Sequence, residues 1–366
     1  MISNIKKPVF LILAAILIVF LTTACGGDAG DSASAEASAD GTENTQETAA
    51  PVGDPVEIRF AHLYTTDDYR GRAIQYFADL CNEMSGGTIN ISIYPSQSLV
   101  TSQNAVKSVQ TGVADMTMSA TSWSVGEIKD LAPLDIHGIY DPEYFFETYD
   151  AVRPLLNEIY ETYANQHVLW TVDDTDTIFY LTEKNARQVH APADIAGLRI
   201  RDHGTWIGKS ISAWGASPMT VVPADLTVAL ERGTVDGGYT GWGFIHTYRA
   251  HEYAPYITFT GIGKSSFDPA SINLDVWNSM SPEQQAIMED AGRQAQELSN
   301  ELLSEDLEKF LNEVDDFGGE VYYMTPEETQ VFVDAIAPLI DEASAQCTDL
   351  GKQLINALLA APSQYR

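Results

Sequence analysis

Segments with strand and helix periodicity alternate along this chain, and that alternation limits the possible folds more than any other feature. Residues 56–61 alternate polar and apolar side chains as a strand does, and residues 69–84 then carry apolar side chains at helical spacing. A strand at 89–94, a helix at 102–110 and a strand at 114–119 are predicted next. This order favours helices packed on a parallel, doubly wound sheet.

The same order returns further along the chain. Strands are predicted at 198–201 and 219–222, and each is followed by a predicted helix, at 206–214 and 226–232. A length of 366 residues exceeds one ordinary domain, and a hydrophobic content of 45% supplies a core for each of two lobes. The sequence therefore predicts two α/β lobes.

A long helix is predicted toward the C-terminus. Residues 281–284 (SPEQ) supply an N-cap serine, a proline at the first helical position and the glutamine of a capping box, and residues 325–328 (TPEE) repeat the pattern. The first signal begins a helix that runs to about Val314, on the order of 50 Å at 1.5 Å per residue. A helix of that length spans both lobes.

The N-terminal region has the pattern of an export signal. Two lysines precede an apolar run at 9–21, which is too short to cross a bilayer as a stable helix, and small residues lead to Cys25. This resembles the lipobox of bacterial lipoproteins and predicts a signal peptide over 1–24 with Cys25 lipidated; a plain signal peptide and an uncleaved anchor are the alternatives. Residues 25–55 are almost wholly small and polar, which predicts a disordered tether.

Charge and cysteine content exclude several classes of function. The chain has 52 Asp and Glu against 20 Lys and Arg, a formal charge of −32, and so acidic a surface repels nucleic acid. Three cysteines are too few for a disulfide scaffold and lack the spacing of a zinc site. Cys81 and Cys347 either pair in an oxidising compartment or remain separate thiols.

Motifs typical of catalysis or of metal binding are not found in the sequence. The acidic segment 173–176 (DDTD) lacks the glycine and terminal glutamate of a calcium loop, and His251 has no second histidine at the spacing of a zinc protease. We therefore expect no enzymatic activity, no cofactor and no metal site. A secreted hydrolase that uses a pair of carboxylates remains the alternative, although 52 acidic residues bring some pair together by chance.

Three ordered segments resemble a known family. They are residues 191–201 (APADIAGLRIR), 214–218 (WGASP) and 229–237 (ALERGTVDG), with fainter matches upstream. Together with the export signal they are similar to the extracytoplasmic solute-binding proteins of tripartite ATP-independent periplasmic (TRAP) transporters, the DctP family. The resemblance covers roughly residues 56–350.

The resemblance implies an α/β, two-lobed periplasmic-binding-protein-like fold with a ligand cleft between the lobes. Lobe I is expected to comprise 56–178 and about 267–306, and lobe II 179–266 and about 307–360. The implied function is capture of a small organic carboxylate by lobe closure and delivery to the TRAP membrane permease subunits, from a lipid-anchored position on the extracytoplasmic face of the bacterial cell membrane. Presentation of the ligand to a signalling system is the alternative.

The resemblance also implies site residues. Arg201, the last arginine of the first segment, is expected to make a bidentate salt bridge to the ligand carboxylate, whereas Arg199 is expected to be a surface residue. Thr240 stands where the family often has an asparagine that contacts the carboxylate. Tyr239 and Thr240 replace the Glu-Trp pair of metal-assisted relatives, and Phe179 stands where members that bind sialic acid have a second arginine.

Aromatic residues occur near several loops predicted to border the cleft. Taken singly, each is more readily explained as a core residue. Taken together, they favour a monocarboxylate with an aromatic, branched or cyclic body, because aromatic rings pack on flat or apolar groups. They are Tyr64, Trp123, Phe179, Trp206, Tyr239, Trp242 and Phe244.

Overall fold

The structure is a computed structural model and describes residues 50–364 except residues 173 and 265. The predicted signal peptide, Cys25 and nearly all of the predicted tether lie outside the described residues. Among the residues that are described, no helix combines the length and apolar character needed to cross a membrane.

Strands and helices alternate along the described chain. The strands are β1 (Val56–His62), β2 (Ile89–Tyr94), β3 (Met116–Met118), β4 (Gln166–Thr171), β5 (Asp176–Leu181), β6 (Arg199–Asp202), β7 (Ser217–Thr220), β8 (Gly237–Gly241), β9 (Tyr256–Lys264), β10 (Pro269–Asn273) and β11 (Glu320–Tyr323). The α-helices are α1 (Tyr69–Met84), α2 (Ala105–Gln110), α3 (Phe145–Ala164), α4 (Thr205–Ala213), α5 (Leu226–Glu231), α6 (Trp242–Thr247), α7 (Leu274–Ser279), α8 (Pro282–Asp316), α9 (Pro326–Ile336), α10 (Pro338–Ser344) and α11 (Asp349–Gln364). The predicted elements are present, although β7 begins and ends two residues earlier than the predicted strand at 219–222.

The strands form two sheets. The first has the order β2-β1-β3-β10-β4 and the second the order β11-β9-β5-β8-β6-β7. Each sheet has one strand that runs against its neighbours, β10 in the first and β5 in the second. The two-lobed α/β fold is confirmed, but the prediction of purely parallel sheets is wrong for these two strands.

The reversed strands are the ones that pass from one sheet to the other. β5 follows β4 of the first sheet after only a short segment at 172–175, and β10 follows β9 of the second sheet after 265–268. A parallel partner needs a crossover of a dozen or more residues to return to the starting edge of its sheet. A strand that enters directly at the edge where the parallel strands end must therefore run in the opposite direction.

Helix α8 packs on both sheets, as the long-helix prediction requires. Near its start it contacts α1 and β4, and Met288, Ala291 and Ala295 lie in the core of the first sheet. Near its end it contacts α6 and β11, and Phe310 and Val314 lie in a core of the second sheet. The helix thus connects the two sheets in addition to the two crossing segments, which are residues 172–175 before β5 and residues 265–268 before β10.

The C-terminal helix has a position that the sequence pattern does not reveal. Leu354 and Leu358 of α11 share a hydrophobic core with Val152 and Leu156 of α3. This part of the segment expected in the second lobe therefore packs against residues expected in the first. The lobe boundaries themselves stay a prediction.

The two described cysteines are separate, buried thiols rather than a disulfide. Cys81 lies in the core around β1 and α1, whereas Cys347 lies near the carbonyl of Lys129. Burial raises the pKa of both thiols, that of Cys347 to about 11.

Candidate functional site

A buried cavity lies where the strands of the two sheets end. About 430 Å³ of space at this site lies outside protein atoms, open solvent included, and about 40 Å³ admits the centre of a water molecule. The carboxyl ends of strands are where open α/β sheets bind ligands. The lining residues are Leu63, Tyr64, Arg70, Ser102, Ala120, Trp123, Asp174, Arg201, His203, Thr240, Phe244, Ser266 and Asp268.

Strand β6 carries Arg201 to this cavity. Successive side chains of a strand point to opposite faces, so Ile200 enters the core and Arg201 points away from it. The Arg201 side chain is fully buried, its Nε donates to the carbonyl of Val221 at 3.1 Å, and its guanidinium lies 4.6 Å from the ring centroid of Phe244. Its Nη1 and Nη2 have no hydrogen-bond partner among the described residues. Two parallel donors on one edge of the guanidinium are therefore available to a carboxylate.

Arg199 shows how different a neighbouring arginine can be. It leaves the same face of β6, but at the start of the strand, where its side chain is 41% exposed. Its Nε and Nη2 are held by the two carboxylate oxygens of Asp236, at 3.0 and 2.7 Å. Arg199 therefore forms a partly exposed ion pair with Asp236, whereas the Nη1 and Nη2 atoms of Arg201 are unpaired in the cavity.

The structure brings five of the eight predicted ligand-contacting residues together around the cavity: Arg201, Thr240, Phe244, Tyr64 and Trp123. Thr240 is on β8, and Phe244 is in the first turn of α6, directly after β8 ends. Tyr64 follows β1, and Trp123 follows β3. Both sheets thus contribute to one site.

The other three predicted residues lie in hydrophobic cores and do not line the cavity. Phe179 and Tyr239 pack on each other with centroids 4.9 Å apart, and the Tyr239 hydroxyl is 2.8 Å from Nδ1 of His137. Trp206, in the first turn of α4, packs into the core that contains α3. Tyr239 lies in the core because successive side chains of β8 point to opposite faces, so that Tyr239 faces away from the cavity that Thr240 lines. Trp242 is also a core residue, stacked on Phe310.

The two crossing segments contribute polar groups that the sequence pattern did not identify. The Tyr64 hydroxyl donates to Asp268, and the Ser266 hydroxyl also donates to Asp268 and lies 3.2 Å from Asp174. Of Asp174, Ser266 and Asp268, only Asp174 belongs to a segment with a sequence signal, the acidic residues 173–176. Ser266 and Asp268 carry none, because their position depends on where β9 ends and β10 begins.

Arg70 of α1 completes this polar end of the cavity. Its Nε and Nη2 bind the two oxygens of Asp68 at 2.9 and 2.7 Å, and its Nη1 lies 3.4 Å from Asp174. Burial raises the pKa of Asp68, but the charge and hydrogen bonds of Arg70 more than offset this and leave that pKa below its usual value. Burial raises the pKa of Asp268. It also lowers the pKa of His203 well below its usual value, so the His203 ring is neutral at pH 7.

Among the described residues, no group of three histidine, cysteine or acidic side chains is arranged to hold a metal ion. The donors around the cavity are guanidinium, hydroxyl, imidazole and carboxylate groups, which bind organic anions and hydrogen-bonding solutes.

The described residues form two mixed sheets joined by crossing strands, with a cavity at their strand ends that contains a guanidinium with two unpaired nitrogens. These features are typical of two-lobed solute-binding proteins. The family model described as "Bacterial extracellular solute-binding protein, family 7" (DctP) matches residues 60–346. The chain belongs to this family, which is one of solute-binding receptors, and the family and receptor function predicted from the sequence are confirmed.

Named relatives support the same assignment. The C4-dicarboxylate-binding periplasmic protein DctP of Rhodobacter capsulatus is 22% identical over 324 residues, which cover 86% of this chain and 93% of the relative. A TRAP periplasmic solute-binding protein of Roseobacter denitrificans, solved with bound β-D-glucuronate, superposes with a TM-score of 0.76 at 18% identity and covers 83% of this chain and 99% of its own. One from Shewanella oneidensis with bound succinate gives a TM-score of 0.72 at 20% identity, covering 84% of this chain and 99% of its own.

Proposed function

We propose that this protein captures a small organic acid by pairing its carboxylate with Arg201 and delivers it to the membrane permease subunits of a TRAP transporter, without altering it chemically. The observation that carries this proposal is the fully buried guanidinium whose Nη1 and Nη2 have no partner among the described residues.

A buried charge without a partner is costly, and that cost favours an anionic ligand. Removing a cation from water is unfavourable unless an opposite charge and hydrogen bonds compensate it. Arginine stays protonated in such surroundings, and its planar fork matches the two oxygens of a carboxylate. The names of the relatives agree, because dicarboxylates, glucuronate and succinate all carry carboxylates.

The arrangement of the cavity supports capture by closure. Tyr64 and Trp123 follow strands of the first sheet, whereas Arg201, Thr240 and Phe244 follow or belong to strands of the second. A ligand held by both sets stabilises the closed arrangement relative to an open one, and the permease recognises that difference. The rings of Trp123 and Phe244 favour a solute with a ring or a branched apolar body.

The proposed attachment is a lipid on Cys25, from which the tether carries the receptor on the extracytoplasmic face of the cell membrane. It rests on the lipobox-like sequence before Cys25. In the native host, Cys25→Ala should move the protein from the membrane fraction to the soluble exported fraction. An unchanged distribution would remove the lipid from the proposal and leave the receptor function standing.

The first experiment identifies the solute. The exported protein is purified, weighed intact by native mass spectrometry, and then denatured so that the released small molecule is identified. We expect one unmodified carboxylate per chain. A released reaction product in place of an intact acid would favour a hydrolase instead.

Arg201→Ala should then lower the affinity for that acid by about 2–5 kcal/mol in titration calorimetry, because the carboxylate is left desolvated and unpaired. The affinity of the Arg201→Lys protein should fall between those of the natural and Arg201→Ala proteins, since lysine keeps the positive charge but lacks the two parallel donors of the guanidinium. The matched control is Arg199→Ala on the same strand, which should bind like the natural protein. Equal affinity of the Arg201→Ala and natural proteins would overturn the proposal.

A further inference from the structure

We infer that the solute is a zwitterion, with a carboxylate bound by Arg201 and a cationic ammonium-type group bound by Asp268 in the same cavity. This inference rests on the proposed function and specifies its ligand.

Three carboxylates lie around Arg70. Asp68 binds its Nε and Nη2 at 2.9 and 2.7 Å, and Asp174 is 3.4 Å from its Nη1. Asp268 is affected by the charge of Arg70 but forms no ion pair with it. Within the described part of the chain, no Lys, Arg or His nitrogen lies within ion-pair distance of Asp268. The ligand is the natural source of the missing positive charge.

Asp268 has the bonding capacity to take such a group. It is 3% exposed and accepts one hydrogen bond on each oxygen, from Tyr64 and from Ser266. A carboxylate has about four acceptor positions, so lone pairs remain for a ligand N–H. A buried carboxylate without a cation is costly, which gives an ammonium an advantage that a neutral hydroxyl does not have. Burial also raises the pKa of Asp268, and the hydrogen bonds of Ser266 and Tyr64 and the charge of Arg70 offset this only in part.

Arg201 and Asp268 both line the cavity. The Nη1 and Nη2 atoms of Arg201 have no hydrogen-bond partner among the described residues, and the two side-chain hydrogen bonds that Asp268 accepts come from Tyr64 and Ser266. The guanidinium and the carboxylate are therefore not paired with each other. A molecule with opposite charges at its two ends therefore fits this cavity better than a monoanion or a dianion.

The test compares acids that differ in one group. Titration calorimetry is run on the exported protein with sets of four- to six-carbon acids that share a skeleton and carry an ammonium, a hydroxyl or a hydrogen, including cyclic amino acids. We expect the ammonium member of the best-fitting set to bind about 10- to 100-fold more tightly than its hydroxyl counterpart. Asp268→Asn should reduce that ratio to about threefold or less. Asp115→Asn, a control whose carboxylate pairs with Arg59 before β3 begins, should keep it.

The outcomes separate the two proposals. If acids bind and depend on Arg201, but hydroxyl or unsubstituted members bind as well as ammonium members, the zwitterion inference is wrong and the carboxylate receptor stands. If no acid binds, or binding ignores Arg201, the proposed function itself fails. The comparison on the natural protein needs no variant, so a poorly folding Asp268→Asn protein would not prevent a decision.

Discussion

Asp135 is a buried carboxylate that the fold compensates poorly. It is fully buried, and no side chain among the described residues donates a hydrogen bond to it. It lies against Gly204, at the start of α4, and the backbone of Trp206 is its nearest donor. Burial, together with the nearby charge of Asp202, raises the pKa of Asp135 to about 7. Its charged form therefore destabilises the folded state at neutral pH.

This gives a pH dependence with a definite sign. The unfolded carboxyl titrates near 4, so between about pH 4 and pH 7 the folded state keeps a proton that the unfolded state has lost. The contribution of Asp135 to the free energy of unfolding must then fall as pH rises through that window. The Asp135→Asn protein lacks this titrating carboxyl. Its free energy of unfolding should exceed that of the natural protein by an amount that grows toward pH 7, to at most about 4 kcal/mol. Urea unfolding at several pH values measures this difference, and two parallel stability curves would contradict it.

At the scale of single residues, the sequence indicated the cavity position of Arg201 but not those of Ser266 and Asp268. Arg201 stands in a contiguous motif at the end of a recognisable strand, so one segment of sequence is enough to find it. Asp174 and Asp268 meet only because two crossing segments lie side by side, and no local pattern records that proximity. Phe179 and Tyr239, also predicted near the ligand, lie in a hydrophobic core for another reason. Nearness to a loop says nothing about which face of the strand a side chain takes.

Among the elements, α8 depends on a capping box that is buried rather than exposed. Gln284 accepts from the Ser281 N–H at 3.1 Å, and its Nε2 donates to the Asp54 carbonyl at 2.8 Å and to Thr88 at 3.3 Å. The same device at α9 uses Glu328, whose side chain is 23% exposed and is also held by Tyr322. The first box therefore connects the helix to the start of the first sheet, whereas the second is partly exposed.

Replacing the two capping side chains should cost different amounts. Gln284→Ala leaves several buried partners unpaired and should lower the free energy of unfolding by about 2–3 kcal/mol. Glu328→Ala removes a partly exposed capping side chain and should lower the free energy of unfolding by about 1 kcal/mol. Denaturant unfolding of the two variants side by side makes the comparison. Equal losses would mean that the contacts of Gln284 with Asp54 and Thr88 add nothing to the cap.

The sequence predicted most elements correctly because their periodicity and caps are local, but strand direction is not local. β5 and β10 look like any other strand, and their reversal follows only from the sheet that each one joins. One repeated contact does connect sequence to topology. Arg59 of β1 pairs with Asp115, just before β3, and Arg199 of β6 pairs with Asp236, just before β8. In both pairs the arginine Nε binds Oδ2 of the aspartate and Nη2 binds Oδ1. These matched motif residues hold the sheets together and leave ligand binding to others.

On the scale of the whole molecule, the two sheets repeat one plan. In each, three parallel strands are followed by a reversed strand that comes from the other sheet and then by one further parallel strand, with β11 added at the edge of the second. The cavity therefore lies beside both crossing segments, and α8 makes the third connection. Arg201, Tyr64 and Thr240 are each no more than 2% exposed, as the proposed capture by closure requires of the arrangement that holds the ligand. Opening it requires rotation about those three connections.

Such a rotation should be visible through one tryptophan. Of the six in the chain, Trp123 lines the cavity, whereas Trp170, Trp206, Trp214, Trp242 and Trp277 are buried elsewhere. Binding of the acid identified by mass spectrometry should change the intrinsic fluorescence, because Trp123 exchanges water for ligand as the lobes close. Trp123→Phe should remove most of that change. Trp277→Phe, whose ring stacks on His167 with centroids 4.5 Å apart at the outer strand of the first sheet, should keep it. If the signal survives in Trp123→Phe and disappears in Trp206→Phe, the movement is centred on α4 rather than on the cavity, and closure over the ligand is not what the fluorescence reports.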